Sequence, residues 1–183
     1  MLIKRLVAIF MDLLEVSVFA IAIFLIVYLV LLQPHKIKGA SMEPNYHDGQ
    51  ILLTDKISYR FKDPKRGDVI IFKSPTNSEE FIKRIIGLPG EKIEIKNGLV
   101  IINGQILNEP YLPDQTNTFA GIFFQNKESV LVPDGKYFVL GDNRINSADS
   151  RVFGFIKRKD ITGKAWIIYW PINQMRVIKD ITY

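Results

Sequence analysis

The chain has no cysteine among its 183 residues, which removes disulfides, thiolate nucleophiles and cysteine-based metal sites together. Histidine is nearly as scarce. His35 and His47 lie in polar surroundings without ligand-spaced carboxylates, so both are expected as surface or interfacial side chains, with no metal and no cofactor. The same scarcity leaves a Ser-His-Asp triad poorly supported. Concentrated charge is also lacking. The formal net charge is +5, yet basic residues alternate with acidic ones, without a long basic run or a nucleic-acid motif. A membrane surface accounts for that balance better than nucleic acid does, because anionic lipid attracts a basic domain. Repeats and low-complexity tracts are missing, and no long helical period follows residue 33.

What the chain has in excess is apolar residues, 48% of the total, and the excess sits at one end. Residues 13–32, LLEVSVFAIAIFLIVYLVLL, carry Glu15 as their only charge and contain neither Pro nor Gly. About 20 apolar residues are what a helix needs to cross a bilayer core, so this segment reads as a single transmembrane span. A cleavable signal peptide is the alternative. Against it, the uncharged run 16–32 exceeds the usual apolar stretch of roughly 7–15 residues, and no A-x-A-like site follows promptly. A buried soluble helix would not need both faces apolar. Lys4 and Arg5 favour a cytoplasmic N-terminus, but only weakly, since Asp12 and Glu15 also precede the span and Lys36 and Lys38 follow it. The expected organisation is a short cytoplasmic segment at 1–12, an anchor at 13–32 and an extracytoplasmic domain at 33–183.

That domain is expected to be mainly β. Segments 69–72, 81–86, 92–95, 99–102, 137–140 and 165–169 are short, rich in β-branched and aromatic residues, and bounded by Gly, Pro, Asn and Asp. Asn97-Gly98 between EKIEIK and LVIING is a strong hairpin signal, and Asn103-Gly104 supplies a second turn. Residues 114–121 are the most loop-like stretch and are expected to be long and mobile.

Three segments carry candidate chemistry. In Gly39-Ala40-Ser41-Met42-Glu43-Pro44, small residues bracket a serine and a proline closes the turn. Such a turn can aim amide N–H groups at a bound carbonyl, although serine in a merely structural turn is commonplace. In Phe81-Ile82-Lys83-Arg84-Ile85-Ile86, a strand puts Phe81, Lys83 and Ile85 on one face. The amine then stands between apolar side chains, and burial lowers its pKa toward working pH, as a general base requires. Solvated charges on an edge strand are the plainer alternative. The third segment, Gly141-Asp142-Asn143-Arg144-Ile145-Asn146-Ser147-Ala148-Asp149-Ser150-Arg151, is dense in hydrogen-bonding side chains. Asp149 and Arg151 can pair, and Ser147 or Ser150 can orient an amine, which suggests a folded polar network.

Taken in order, these segments resemble the bacterial type I signal peptidases, serine–lysine endopeptidases of the cytoplasmic or inner membrane. Ser41-Met42-x-Pro44 resembles the nucleophile box. Lys65-Arg66-Gly67-Asp68-Val69-Ile70 with Lys83-Arg84-x-x-Gly87-x-Pro89-Gly90 resembles the general-base region. Gly141-Asp142-Asn143-Arg144-x-x-Ser147-x-Asp149-Ser150-Arg151 resembles the third signature, and Asn103-Gly104 and Glu109-Pro110-Tyr111 the segment between. The likeness covers nearly all of residues 36–170.

The resemblance implies a membrane-anchored, β-rich catalytic domain outside the cytoplasm. It implies removal of signal peptides from exported preproteins after a small residue, through an acyl-enzyme and without cofactor or metal. Ser41 takes the nucleophile's position and Lys83 the general base's. Ser147 takes that of the serine positioning the amine, and Asp149 and Arg151 those of a supporting ion pair. Ile37, Met42 and Ile82 take positions lining the pockets for small side chains, and Ser41 N–H belongs to the oxyanion hole. Two positions before the nucleophile, where some members carry a serine, stands Gly39, whose backbone or a water is expected to substitute. Asn45 and Ile145 replace the commoner Thr and Asp. The expected partners are preprotein signal peptides and membrane lipid; the oligomeric state stays open, with a monomer as the default. Rival readings are a self-cleaving regulator, which lacks a DNA-binding module here, a non-catalytic β domain that binds partners, and a eukaryotic-type signal peptidase, which resembles this chain but with histidine in the base position.

Overall fold

The computed structural model describes residues 2–77, 79–125, 128–181 and 183; the side chains of residues 2 and 27–31, which include the end of the expected 13–32 span, lie outside that description. The chain divides into two compact units, residues 1–33 and 34–183.

The first unit is a single helix, α1 (Leu2–Leu31). It begins well before residue 13: 2–12 contain no Gly or Pro to break it, and the Asp12–Glu15 pair before the apolar run does not start it there. Its Ile3–Ile26 portion, 24 residues that include an 18-residue window of mean hydropathy 2.4, is about 36 Å long at 1.5 Å per residue, enough to cross a hydrocarbon core of about 30 Å. No residue of that window is buried in the protein. Ser17 Oγ donates to the Leu13 carbonyl at 2.8 Å, so the helix satisfies that hydroxyl internally.

The second unit is built on strands, in keeping with the expected mainly β class. In chain order they are β1 (Leu32–Lys36), β2 (Ile51–Asp55), β3 (Val69–Lys73), β4 (Glu80–Gly87), β5 (Lys92–Lys96), β6 (Leu99–Ile102), β7 (Gln105–Ile106), β8 (Ser129–Leu131), β9 (Lys136–Leu140), β10 (Ile156–Lys157), β11 (Ile161–Trp170) and β12 (Arg176–Val177). Two single-turn helices, α2 (Ser58–Phe61) and α3 (Ser150–Phe153), interrupt them. The larger sheet runs β1-β2-β11-β3-β4-β9-β10, with β12 beside β11; the smaller runs β7-β6-β5-β8. Asn97 (φ 53°) and Gly98 (φ 78°) occupy the left-handed positions of the β5–β6 turn, with Lys96 opposite Leu99. Those dihedrals match the twist of a two-residue hairpin.

β4 is the hinge of the core because its alternating side chains serve different clusters. Ile82 packs with Ile37, Met42, Leu52, Val69, Ile71, Ala165 and Ile168. Phe81 packs with the cluster of Ile70, Phe72, Ile85, Val139 and Ile156, and Ile86 joins Ile93, Phe124, Phe138 and Leu140 near the small sheet. Each such fully buried side chain contributes about 1.5–3 kcal/mol. The 114–121 loop is irregular and is tied down at Thr118, whose N–H donates to the Gly98 carbonyl and whose Oγ1 accepts from Arg144.

Candidate active site

Ser41 lies in a turn closed by Tyr46 N–H to the Met42 carbonyl at 2.9 Å and Glu43 N–H to the Ala40 carbonyl at 3.2 Å. The turn is held from outside by the loop that follows β9. Asn143 N–H donates to the Ser41 carbonyl at 3.1 Å, and Asn143 Nδ2 to the Ala40 carbonyl at 3.0 Å. Gly141 makes the approach possible, since a Cβ there would stand 2.4 Å from the Ser41 carbonyl oxygen and 2.2 Å from Ser147 Oγ.

Lys83 reaches this turn from β4. Its Nζ donates to Ser41 Oγ at 2.8 Å and to the Ile82 carbonyl at 2.8 Å. Only 4% of the residue is exposed, and Nζ lies 5.4 Å from the Phe81 ring centroid. Burial pushes its pKa down to about 8, against a smaller upward pull from Asp149 and Asp142. A lysine in that range is part neutral near neutral pH. In the neutral form the contact reverses, with Ser41 O–H donating to the amine lone pair, while the Ile82 carbonyl still takes one N–H.

Two buried ion pairs surround the dyad. Asp149, fully buried, receives Arg151 in bidentate fashion, Nε to Oδ1 at 2.8 Å and Nη2 to Oδ2 at 2.7 Å; it also accepts Gly141 N–H at 3.0 Å. Arg84 pairs with Asp142 at 2.8 and 2.6 Å and stacks 4.0 Å from the Tyr111 ring centroid. Asp142 Oδ2 accepts Asn45 Nδ2 at 2.9 Å, so the same carboxylate ties β4 to the turn bearing Ser41. Satisfied on both sides, these charges hold geometry that unpaired buried charges could not.

The remaining expected site residues fall differently. Ile37 and Ile82 line a cleft of about 570 Å³ that also receives Ser41 and Lys83. Met42 is fully buried within the apolar cluster beneath it, and is not among the cleft's lining residues. Ser147 makes no hydrogen bond to Lys83; its hydroxyl is buried without a partner among the described residues, packed toward Gly141, and the Ile82 carbonyl holds the amine instead. Among the described residues Ser41 N–H meets no acceptor, whereas Gly39 N–H donates to Asp48 Oδ1 at 2.7 Å. The Gly39 amide is therefore committed and not free to bind an oxyanion. His35 is partly buried: its side chain is 13% exposed and its Nε2 contacts Glu80 at 2.9 Å. Asp142, Asn143, Arg84 and Gly141 had been given no role from sequence. Their only signal was membership of the polar third segment and the position of Arg84 beside Lys83.

The family model described as signal peptidase, peptidase S26, matches residues 10–170. A protein of Synechocystis sp. named probable signal peptidase I-2 is 39% identical over 151 residues, 79% of this chain and 66% of its own length. Signal peptidase IB of Staphylococcus aureus is 36% identical over 179 residues, 90% of this chain and 93% of its own. A crystal structure of a signal peptidase I from Enterococcus faecalis V583 matches 56% of this chain and 97% of that chain at 42% identity, with a TM-score of 0.49. These relationships define a hydrolase of the serine peptidase class. The chain belongs to the signal peptidase family, peptidase S26.

Proposed function

We propose that this chain is a membrane-anchored endopeptidase that removes signal peptides from exported preproteins after a small residue, with Ser41 as nucleophile and Lys83 as general base. The observation that carries the reading is the 2.8 Å contact between Lys83 Nζ and Ser41 Oγ on a lysine whose pKa is lowered to about 8. Neutral Lys83 takes the Ser41 proton as Oγ attacks the scissile carbonyl. The tetrahedral oxyanion is received by Ser41 N–H, and the amine's new proton passes to the departing amino group as the acyl-enzyme forms. Lys83, neutral again, deprotonates the water that hydrolyses the ester. Asp149–Arg151 and Arg84–Asp142 hold loop and strand in place throughout.

The substrate class comes from relatives named signal peptidase and from a cleft whose walls are apolar at Ile37, Leu52, Ile71 and Ile82. The anchor is α1, with the 1–12 end cytoplasmic, the 13–32 portion in the cell membrane and the 33–183 domain outside. Trp166 and Trp170, 43% and 50% exposed on β11, suit a lipid interface better than a core. A non-catalytic β domain would not need a nucleophile and a buried amine in contact, so that reading is disfavoured.

Purified full chain and its Ser41→Ala and Lys83→Ala variants, assayed on a preprotein with Ala at −3 and −1, test the assignment. Both variants are expected to lose cleavage by at least about 10³-fold while keeping the wild-type fold. Cleavage retained by Ser41→Ala overturns it.

A further inference from the structure

The stretch after β12 runs back toward the start of β3 and is fastened at three points. It lies beyond residue 170, where the family match ends, and the mechanism above makes no use of it. Ile178 N–H donates to the Trp166 carbonyl at 2.8 Å, and the Ile178 side chain packs on the cluster of Met42, Leu52 and Ile168. Asp180 Oδ1 accepts Lys164 Nζ at 2.6 Å, and the same amine holds Asp68 Oδ1 at 2.7 Å. Tyr183 then lays its ring on Gly67. A Cβ on that glycine would stand 2.8 Å from Tyr183 Cε2 and 3.2 Å from its hydroxyl oxygen. With φ at 88°, Gly67 is required both by its own backbone and by the ring above it.

The last of these fastenings rests on the support of Lys83. The Gly67 carbonyl accepts Arg84 Nη1 at 2.9 Å, and Gly67 N–H donates to the Ile85 carbonyl at 2.8 Å. Both partners follow Lys83 directly on β4. Tyr183 also interacts with Tyr111, the ring on which Arg84 stacks, and Arg66 lies 5.9 Å from the Tyr183 ring centroid. Arg84 is thus held by Asp142, by the Gly67 carbonyl and by the Tyr111 face, and Tyr183 adjoins the last two. Arg84 and Asp142 are buried, whereas Tyr183 is 46% exposed. Its replacement therefore takes no side chain out of the core.

We propose that Tyr183 is a positioning residue, strapped onto Gly67, that keeps Arg84 in place and through it holds the Lys83 amine against Ser41. This rests on the catalytic reading above. Without the Tyr183 ring, water reaches the Gly67 carbonyl and the Tyr111 face, and Arg84 can shift away from Asp142. The Lys83 amine then drifts from Ser41 Oγ, and a displacement of about 1 Å at such a contact can cost about 10²-fold in rate. The charge balance changes with it. Asp142 pulls the Lys83 pKa upward, and it pulls harder once Arg84 no longer compensates it. Wetter surroundings act in the same direction. Asp149, the other carboxylate acting on Lys83, keeps its own partner Arg151.

The test compares full chain in detergent with its Tyr183→Ala, Tyr183→Phe and Asp180→Ala variants on one preprotein. Tyr183→Ala is expected to lower kcat by about tenfold or more, with KM within about threefold of wild type. The pKa governing its single-turnover rate is expected to move up by about half a unit or more. Tyr183→Phe keeps the ring on Gly67, and its kcat is expected to stay within about threefold of wild type. Asp180→Ala frees the strap from Lys164 and leaves the ring intact; its kcat and pKa are expected to move in the same directions as those of Tyr183→Ala. Wild-type kcat and pH profile in Tyr183→Ala overturn the proposal, whether or not the melting temperature falls, because a merely structural residue changes only the latter. So does a raised KM with kcat unchanged, which makes Tyr183 a substrate contact. The catalytic reading fails by a separate result, cleavage surviving Ser41→Ala, which leaves the Tyr183 measurements distinguishable from it.

Discussion

Lys83 is the residue at which function and stability oppose each other. Its ammonium is disfavoured by burial, which holds the folded-state pKa at about 8 against 10.5 for the free side chain. Between those values the unfolded chain binds more protons than the folded one, so stability rises with pH across the window from 8 to 10.5. Below it, the folded protein bears the full cost of a buried charge, on the order of 3 kcal/mol. Lys83→Met, close in volume and uncharged, is therefore expected to abolish cleavage yet raise stability at pH 7. Denaturant titrations at pH 7 and pH 10.5 check this, with the advantage over wild type shrinking at the higher pH. The candidate base was legible in sequence because Phe81 and Ile85 flank it at strand spacing. Ser147 shows the limit of residue matching: its position fits, but its hydroxyl packs against Gly141 and the Ile82 carbonyl takes its place beside the amine. The capture of Gly39 N–H by Asp48 was not legible either, because it depends on how the turn folds back across nine residues.

At the scale of elements, the site is a junction of β4, the Ser41 turn and the loop after β9. The six strands read from sequence all carry β-branched or aromatic runs between turn residues. β2, with sequence ILLTD, lacks such a run, and β1, LQPHK, is polar and holds a proline, which an edge strand tolerates and a central one does not. Those two were not anticipated, and His35 and Thr54 sit on them. Long-range bonds such as Asn143 to Ala40, 103 residues apart, leave no trace in local pattern. Gly141 is the closest point of this junction. Gly141→Ala drives a methyl into the Ser41 carbonyl and Ser147 and must push the loop away from the nucleophile turn. A loss of about 10²-fold or more in kcat is expected, with far-UV circular dichroism unchanged; wild-type kcat in that variant would show the junction has slack.

The whole molecule pairs an exposed apolar helix with a β domain whose polar groups are almost fully satisfied. A 24-residue helical stretch that includes an 18-residue window of mean hydropathy 2.4, with no buried residue in that window, is long and apolar enough to cross a bilayer. Full chain is expected in the carbonate-resistant membrane fraction and to float with vesicles, whereas a chain lacking residues 2–31 is expected to lose that behaviour. Flotation of the shortened chain at the level of the full one would show that the β domain binds lipid by itself, through Trp166 and Trp170 among other groups. The long apolar helix was the easiest part of the chain to read, since composition alone marks it, although it starts earlier than the apolar run.

The central claim is that Ser41 is activated by a lysine that works neutral. The direct measurement is the pH dependence of single-turnover cleavage by the full chain, with enzyme in excess so that chemistry limits the rate. The rate is predicted to climb about tenfold per pH unit and to level off above a pKa near 8, the value burial gives Lys83. A rate that stays flat from pH 5 to pH 10, with the chemical step shown to be limiting, would contradict it.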